Sequence, residues 1–84
     1  MSDSQSIEAL SDLGAFIRSR RKAQGLTQRE LSMAAGVGLR FVIEVERGKP
    51  TSQIGKVFQL LQVLGVRLAA SGAEPMFRAG REPD

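Results

Sequence analysis

The amino-acid sequence predicts an all-α domain of four short helices, followed by one short strand with no partner in its own chain. Three observations carry this prediction. Apolar residues recur three and four positions apart in four separate stretches, the spacing of one helix face. A glycine follows each stretch, at Gly25, Gly36, Gly48 and Gly65, where a helix would stop. Only "VRLAA", after the fourth stretch, alternates with the period of a strand.

The first helix is read from "EALSDLGAFIRSRRKAQG", with Leu10, Leu13, Phe16 and Ile17 on its apolar side. Arg18, Arg20, Arg21 and Lys22 crowd its last turns, where cations suit the negative end of the helix dipole. Ser6 and Ser11 are both candidate caps. The second helix is "LTQRELSMAAG". Thr27 is a good N-cap, and Glu30, three residues on, completes a capping box. Leu31, Ala34 and Ala35 supply its inward face. The third helix runs over residues 39 to 47 of "GLRFVIEVERGKP", with Val42 and Val45 on one face. Pro50 prevents continuation beyond Gly48. The β-branched run Val42, Ile43 and Val45 lowers helix propensity and makes a strand the rival reading of this segment.

The fourth helix begins at a cap, Thr51 or Ser52, and carries Ile54, Val57, Phe58, Leu61 and Leu64 at helical spacing. Gly55 in its interior costs up to about 1 kcal/mol relative to alanine. The strand that follows cannot pair with itself. Its partner is expected to be the same strand of a second copy, running antiparallel. Val66, Leu68 and Ala70 are the interface candidates, since alternate strand residues share a face. Residues 1–9 are expected to be a flexible N-terminus, residues 10–71 the folded unit, and residues 72–84, rich in Gly, Pro and charge, a flexible tail.

Eighty-four residues fit one domain with a small core, for which dimerisation is a common source of added buried surface. The chain has no cysteine and no histidine. Disulfides, thiolate metal sites and Ser–His or Cys–His nucleophiles are therefore excluded. No phosphate-binding glycine loop is present. A non-enzymatic protein without a cofactor is expected. Lys plus Arg number 12 against 9 acidic residues, and the excess is concentrated. From Arg18 to Arg67 there are ten basic residues and three acidic ones, Glu30, Glu44 and Glu46. A polyanion partner fits that block; a solvated charged face is the bland alternative. No signal peptide or long apolar run stands out, so a soluble, cytoplasmic protein without membrane contact is expected.

The break at Gly36, Val37 and Gly38 joins two short helices through a turn that contains glycine, which is the pattern of a helix-turn-helix. Gly36 can take the left-handed conformation the corner needs. Val37 is expected to return its side chain to the core, and Gly38 to cap the third helix. Ser32 and Val42 are expected to meet where the helices cross. An ordinary helical hairpin is the alternative.

The stretches "GLTQRELSMAAGV", "VERGKP" and "VFQLLQVLGVRL" resemble the phage-repressor/Cro-type, XRE-like helix-turn-helix family, over roughly residues 12 to 68. The resemblance implies a lambda-repressor-like four-helix domain. "AGVGLRFVIEVERGKPT" with the strand-like segment after the fourth helix is similar to the HipB-type antitoxins. Those are dimeric DNA-binding proteins that pair with a HipA-type kinase toxin and repress their own operon. Serine at 32 in place of alanine and glycine at 38 in place of a serine cap are departures that leave the fold intact.

A recognition helix sets its first residues against base edges in the major groove. Here these are Leu39, Arg40 and Phe41, with Glu44 one turn on. Arg40 is the candidate for a bidentate contact to guanine, Glu44 for a cytosine amine, and Leu39 and Phe41 for thymine methyl groups. Packing on the domain's own surface is the alternative for Leu39 and Phe41. An ion pair with Arg40 at the i+4 spacing is the alternative for Glu44. Thr27 and Gln28 open the second helix, where backbone N–H groups attract phosphate. The resemblance assigns Gln28 to the DNA backbone. Arg47, Lys49 and Lys56 are expected to touch flanking phosphates. Used twice in a dimer, these three cations give a salt slope of about −5. The resemblance also implies an ion pair between Arg21 and Glu46 that locks the recognition helix to the first helix.

The expected partners are thus a second copy, double-stranded palindromic operator DNA bound at the nucleoid, and a HipA-type kinase toxin. A stand-alone repressor or a restriction–modification controller is the nearest rival. A helical protein–protein adaptor is the rival from another class, and base-stacking RNA recognition is disfavoured by the absence of Trp and Tyr.

Overall fold

The structure, a computed structural model, describes residues 7–51, 53–70 and 72. Four helices follow one another: α1 (Leu10–Ala23), α2 (Gln28–Ala35), α3 (Leu39–Glu46) and α4 (Ile54–Val63). Of the flexible ends expected at residues 1–9 and 72–84, residues 1–6 and 73–84 lie outside the described residues, as do the caps considered at Ser6 and Ser52.

Each helix forms where the sequence places it, with differences at the ends. Ser11 lies inside α1, whose cap position is Ala9. Asp12 supplies part of the missing cap: its carboxylate accepts from the Glu8 backbone N–H at 3.1 Å. The capping box of α2 is complete. Thr27 Oγ1 accepts from the Glu30 N–H at 3.0 Å, and the Glu30 carboxylate accepts from the Thr27 N–H at 2.8 Å. Such a cap contributes about 1 kcal/mol. At the corner, Gly36 takes φ +71°, and the Val37 N–H closes the turn onto the Ser32 carbonyl at 3.0 Å. Gly38 caps α3 with extended backbone. Gly48 ends α3 at φ +80°, and a Cβ there would sit 2.8 Å from Ser11 Cα. The cap of α4 is Gln53, and the Thr51 hydroxyl accepts from the Gln53 N–H instead of from the helix.

The core comprises Ile17, Leu31, Ala35, Val42, Val45, Val57, Leu60, Leu61 and Leu64. α3 packs against α1 and α2, and α4 packs against α2. Three inward expectations need correction. Ala34 is exposed and Ser32 is buried in its place: the two lie on opposite flanks of the line through Leu31 and Ala35, and α2 turns the Ser32 flank inward. Leu10 is exposed at the first residue of α1, and Phe16 is only half-buried. Ile54 and Phe58 are 59% and 47% exposed. The buried stripe of α4 is Val57, Leu60, Leu61 and Leu64. Phe58 falls one residue, about 100°, off it, and Ile54 lies at the first residue of the helix.

The segment expected to pair as a strand with a second copy is not hydrogen-bonded into one within the single chain. Among the described residues no strand forms, since a strand needs a hydrogen-bonded neighbour and a single chain offers none here. Val66 is half-buried against the core, and its N–H closes α4 onto the Leu61 carbonyl at 2.9 Å. Leu68 and Ala70 are exposed.

Candidate functional site

The site is built on α3, which presents one face to the core and the other outward. Its inner face is fixed first by a close backbone approach. Gly14 of α1 is buried against the end of α3, and a Cβ there would collide with the Val45 carbonyl oxygen and sit 2.8 Å from that of Glu46. Arg21, two turns further along α1, then reaches Glu46. Its Nε donates to Oε2 at 2.7 Å and its Nη2 to Oε1 at 3.0 Å. The remaining Nη1 donates to the Leu26 carbonyl at 2.7 Å, and Gln28 Nε2 adds a bond to Glu46 Oε1 at 3.1 Å. The Arg21 and Glu46 side chains are 8% and 3% exposed. A buried pair of this kind is tolerated when it is bidentate and its spare donors are satisfied, as here. The hydrogen bond to Glu46 is the main cause that holds the Arg21 guanidinium above its ordinary pKa, against the opposing effect of burial.

The outer face is a second charge cluster. Arg40 is exposed and its Nε lies 3.4 Å from Glu44 Oε2; Lys49 Nζ lies 3.2 Å from the same oxygen. The Lys49 hydrogen bond, and after it Arg40, hold the Glu44 carboxyl below its ordinary pKa. Two cations against one carboxylate leave the cluster net positive.

A third feature lies between the helices. A cleft of about 410 Å³ is lined by Arg18, Arg21, Gln28, Ile43, Glu46 and Arg47. Arg21 and Glu46 satisfy each other at its wall. Arg18 and Arg47 are exposed and make no ion pair with any described residue, so the cleft is cationic.

The residues singled out from the sequence are therefore distributed over three clusters. Arg40, Glu44 and Lys49 form one. Gln28 and Arg47 border the cleft. Phe41 and Lys56 form the third: Phe41 is half-buried against the core, and Lys56 Nζ stands 5.8 Å from the centre of its ring. Leu39 is half-buried, and Thr27 is exposed with its hydroxyl engaged in the capping box. Gln28 is shared, because its side chain also braces Glu46. Arg18 is the residue that sequence reasoning missed. Its signal was its place one turn before Arg21 on the same side of α1. Among the described residues no helix is long and apolar enough to cross a membrane.

The chain is similar to known proteins in sequence and in fold. The model of the Helix-turn-helix family matches residues 17–70. An uncharacterized HTH-type transcriptional regulator of Sinorhizobium fredii, y4mF, is 58% identical over 59 residues, covering 70% of this chain and 78% of that protein. The restriction-modification controller protein C.AhdI from Aeromonas hydrophila superposes with a TM-score of 0.64 at 29% identity, over 69% of this chain and 88% of that one. HipB, solved in an O2 20mer complex, superposes with a TM-score of 0.77 at 22% identity, over 86% of this chain and 100% of that one. A chain of a HipA-HipB-O2-O3 complex gives 0.76 at 21%, over 84% and 100%.

Proposed function

This chain belongs to the Helix-turn-helix family, in its XRE-type branch of DNA-binding transcriptional regulators, and from that premise we propose that it is a dimeric, sequence-specific repressor of its own operon and the antitoxin of a HipA-type kinase toxin. One observation carries the repressor half. α3 is immobilised from inside by the buried Arg21–Glu46 pair while Arg40 and Glu44 stand outward on the opposite face. Base reading needs side chains held rigidly at the protein surface, and this is such a mounting.

In this reading Arg40 meets a guanine and Glu44 a cytosine amine, each worth about 1–3 kcal/mol of discrimination. Their mutual ion pair in the free protein is exchanged for base contacts. Leu39 and Phe41 meet thymine methyl groups. Thr27, Gln28, Arg47, Lys49 and Lys56 hold phosphates, and Arg18 joins them at the cleft. Gln28 spends one amide proton on Glu46 and retains another for a phosphate. Residues 66–70 of two copies pair antiparallel, and the operator is an inverted repeat.

The antitoxin half is supported by the non-helical residues 66–70 that follow α4 and by a fold shared with HipB over that chain's full length. A second reading, a restriction–modification controller, is favoured by the 29% identity to C.AhdI. A footprint at controlled salt on DNA upstream of the chain's own gene tests the repressor half. Symmetric protection about a palindromic centre is expected, and asymmetric or absent protection removes it. Mixing with the product of a neighbouring kinase gene tests the antitoxin half. A stable complex is expected, and its absence leaves the controller reading.

A further inference from the structure

As a cation just beyond α3, Lys49 counts among the phosphate contacts, yet its side chain is already engaged: Nζ lies 3.2 Å from Glu44 Oε2. The main chain brings it there. The Gly48 N–H donates to the Val45 carbonyl at 2.9 Å, and the Lys49 N–H donates to the Glu44 carbonyl at 3.0 Å. This paired closure ends a helix at a left-handed glycine, and Gly48 is such a glycine, at φ +80°. The same closure frequently sets the side chains at these two positions in apolar contact. Here an ion pair takes the place of that contact. Lys49 therefore starts from a backbone fastened to Glu44 and has less freedom to lose in reaching the carboxylate.

Arg40 approaches the same oxygen at 3.4 Å, and its side chain is 88% exposed against 60% for Lys49. Among the described residues no donor reaches Glu44 Oε1. Both cations thus share one carboxylate oxygen and leave the other open. Of the two, Lys49 does more to hold the Glu44 carboxyl below its ordinary pKa.

We infer that Lys49 is a positioning residue for base reading: it holds Glu44 by Oε2, offsets its charge, and leaves Oε1 to accept from a cytosine amine. The inference rests on the repressor reading of the proposed function and deepens it. When Arg40 leaves for a guanine, Glu44 loses one of its two cations. A carboxylate without any would stand uncompensated beside the phosphates of the groove, where like charges repel. It would also be free to turn among its rotamers, so a directed contact to one base would cost more order. Lys49 removes both penalties, because its hold on Oε2 does not depend on Arg40. Arg47, two residues earlier, is the contrasting cation. It is exposed and pairs with no carboxylate among the described residues, so it can act on a phosphate directly.

The test is a double-mutant cycle on DNA binding with the full chain. The parent selects duplexes from a pool randomised over the site. Glu44→Gln then identifies the base pair that Glu44 reads, as the one whose preference it alters. Affinities of the parent, Lys49→Met, Glu44→Gln and the double variant are measured at fixed salt, on the selected duplex and on one substituted at that pair. Lys49→Met is expected to lower the preference for the selected pair about two- to fivefold, the upper part of the range that exposed ion pairs convert to. In the Glu44→Gln background the same substitution is expected to weaken both duplexes by one common factor. Lys49→Arg, which keeps the charge, is expected to retain the preference. Arg47→Met is expected to weaken both duplexes equally in either background, as a phosphate contact does. Lys49 is exposed, so Lys49→Met is expected to melt as the parent does. If Lys49→Met behaves like Arg47→Met, Lys49 touches phosphate alone and the inference is wrong although the repressor reading stands. A parent that selects no sequence removes both.

Discussion

Glu44 and Glu46 stand two residues apart on one short helix and have opposite fates. Glu46 faces α1, is almost fully buried, and is matched by a bidentate arginine and a glutamine amide. Glu44 faces outward, is about one-third exposed, and is held by two solvated cations at longer distances. Residue type and helix are shared; only the side of the helix differs. The difference shows how one eight-residue element is fixed on one side and left open on the other. The inner carboxylate is a fixed part of the scaffold, whereas the outer one can exchange its partners at little cost.

Breaking the inner side should have the largest effect. Glu46→Ala strands the buried Arg21 charge and is expected to cost about 3–5 kcal/mol. For a domain of this size each kcal/mol moves Tm by about 4–8 °C, so thermal melts should show a fall of well over ten degrees. The double variant Arg21→Met, Glu46→Leu should recover most of it, because an apolar pair leaves no charge behind; failure to recover would mean that the pair does more than brace. Gly14→Ala comes next, at about 1–3 kcal/mol, since the added methyl must push α3 away from α1.

The outer side should respond in binding and not in stability. Arg40→Ala is expected to lose about 1–3 kcal/mol of discrimination at one base-pair position, read by competition with substituted operators. Its melting should move by no more than about 0.5 kcal/mol equivalents, as for other exposed substitutions. An Arg40 variant that melted early would erase the contrast with Glu46. The smallest effect is that of pH. Lys49 and Arg40 hold the folded-state Glu44 carboxyl below its ordinary value, so its contribution is present above that ordinary value. It is lost as the pH falls through the lowered one, where Glu44 takes up a proton. Melting curves across the acid range should show a shallow decline that Glu44→Gln flattens.

Much of this division was legible in the sequence where its causes are local. The Thr27–Glu30 box and the glycine stops depend on residues three or four apart, and they fall where expected. Arg21–Glu46 was legible only through resemblance, because the two residues are 25 positions apart and nothing local joins them. Gly14 was not legible. Its necessity comes from the backbone of α3 opposite, whereas Gly55, in the first turn of α4, has nothing opposite among the described residues. Ile54 and Phe58 were misread for a related reason. Helical spacing marks residues that shun water, but it does not say whether the cover is the same chain. Arg18 was passed over as one cation among several, and only the cleft beside Arg47 separates it from Lys22.

The last turns of α1 hold more than α3. Arg20 Nη2 and Gln24 Nε2 donate to the Leu64 carbonyl at 3.1 Å and 2.7 Å, at the root of the segment leading into residues 66–70. Arg21, the next residue after Arg20, grips Glu46. Two levers pinned at one fulcrum cannot be adjusted separately. A twofold pair of such chains would behave as calipers of fixed opening and would refuse targets whose halves lie one base pair nearer together or farther apart.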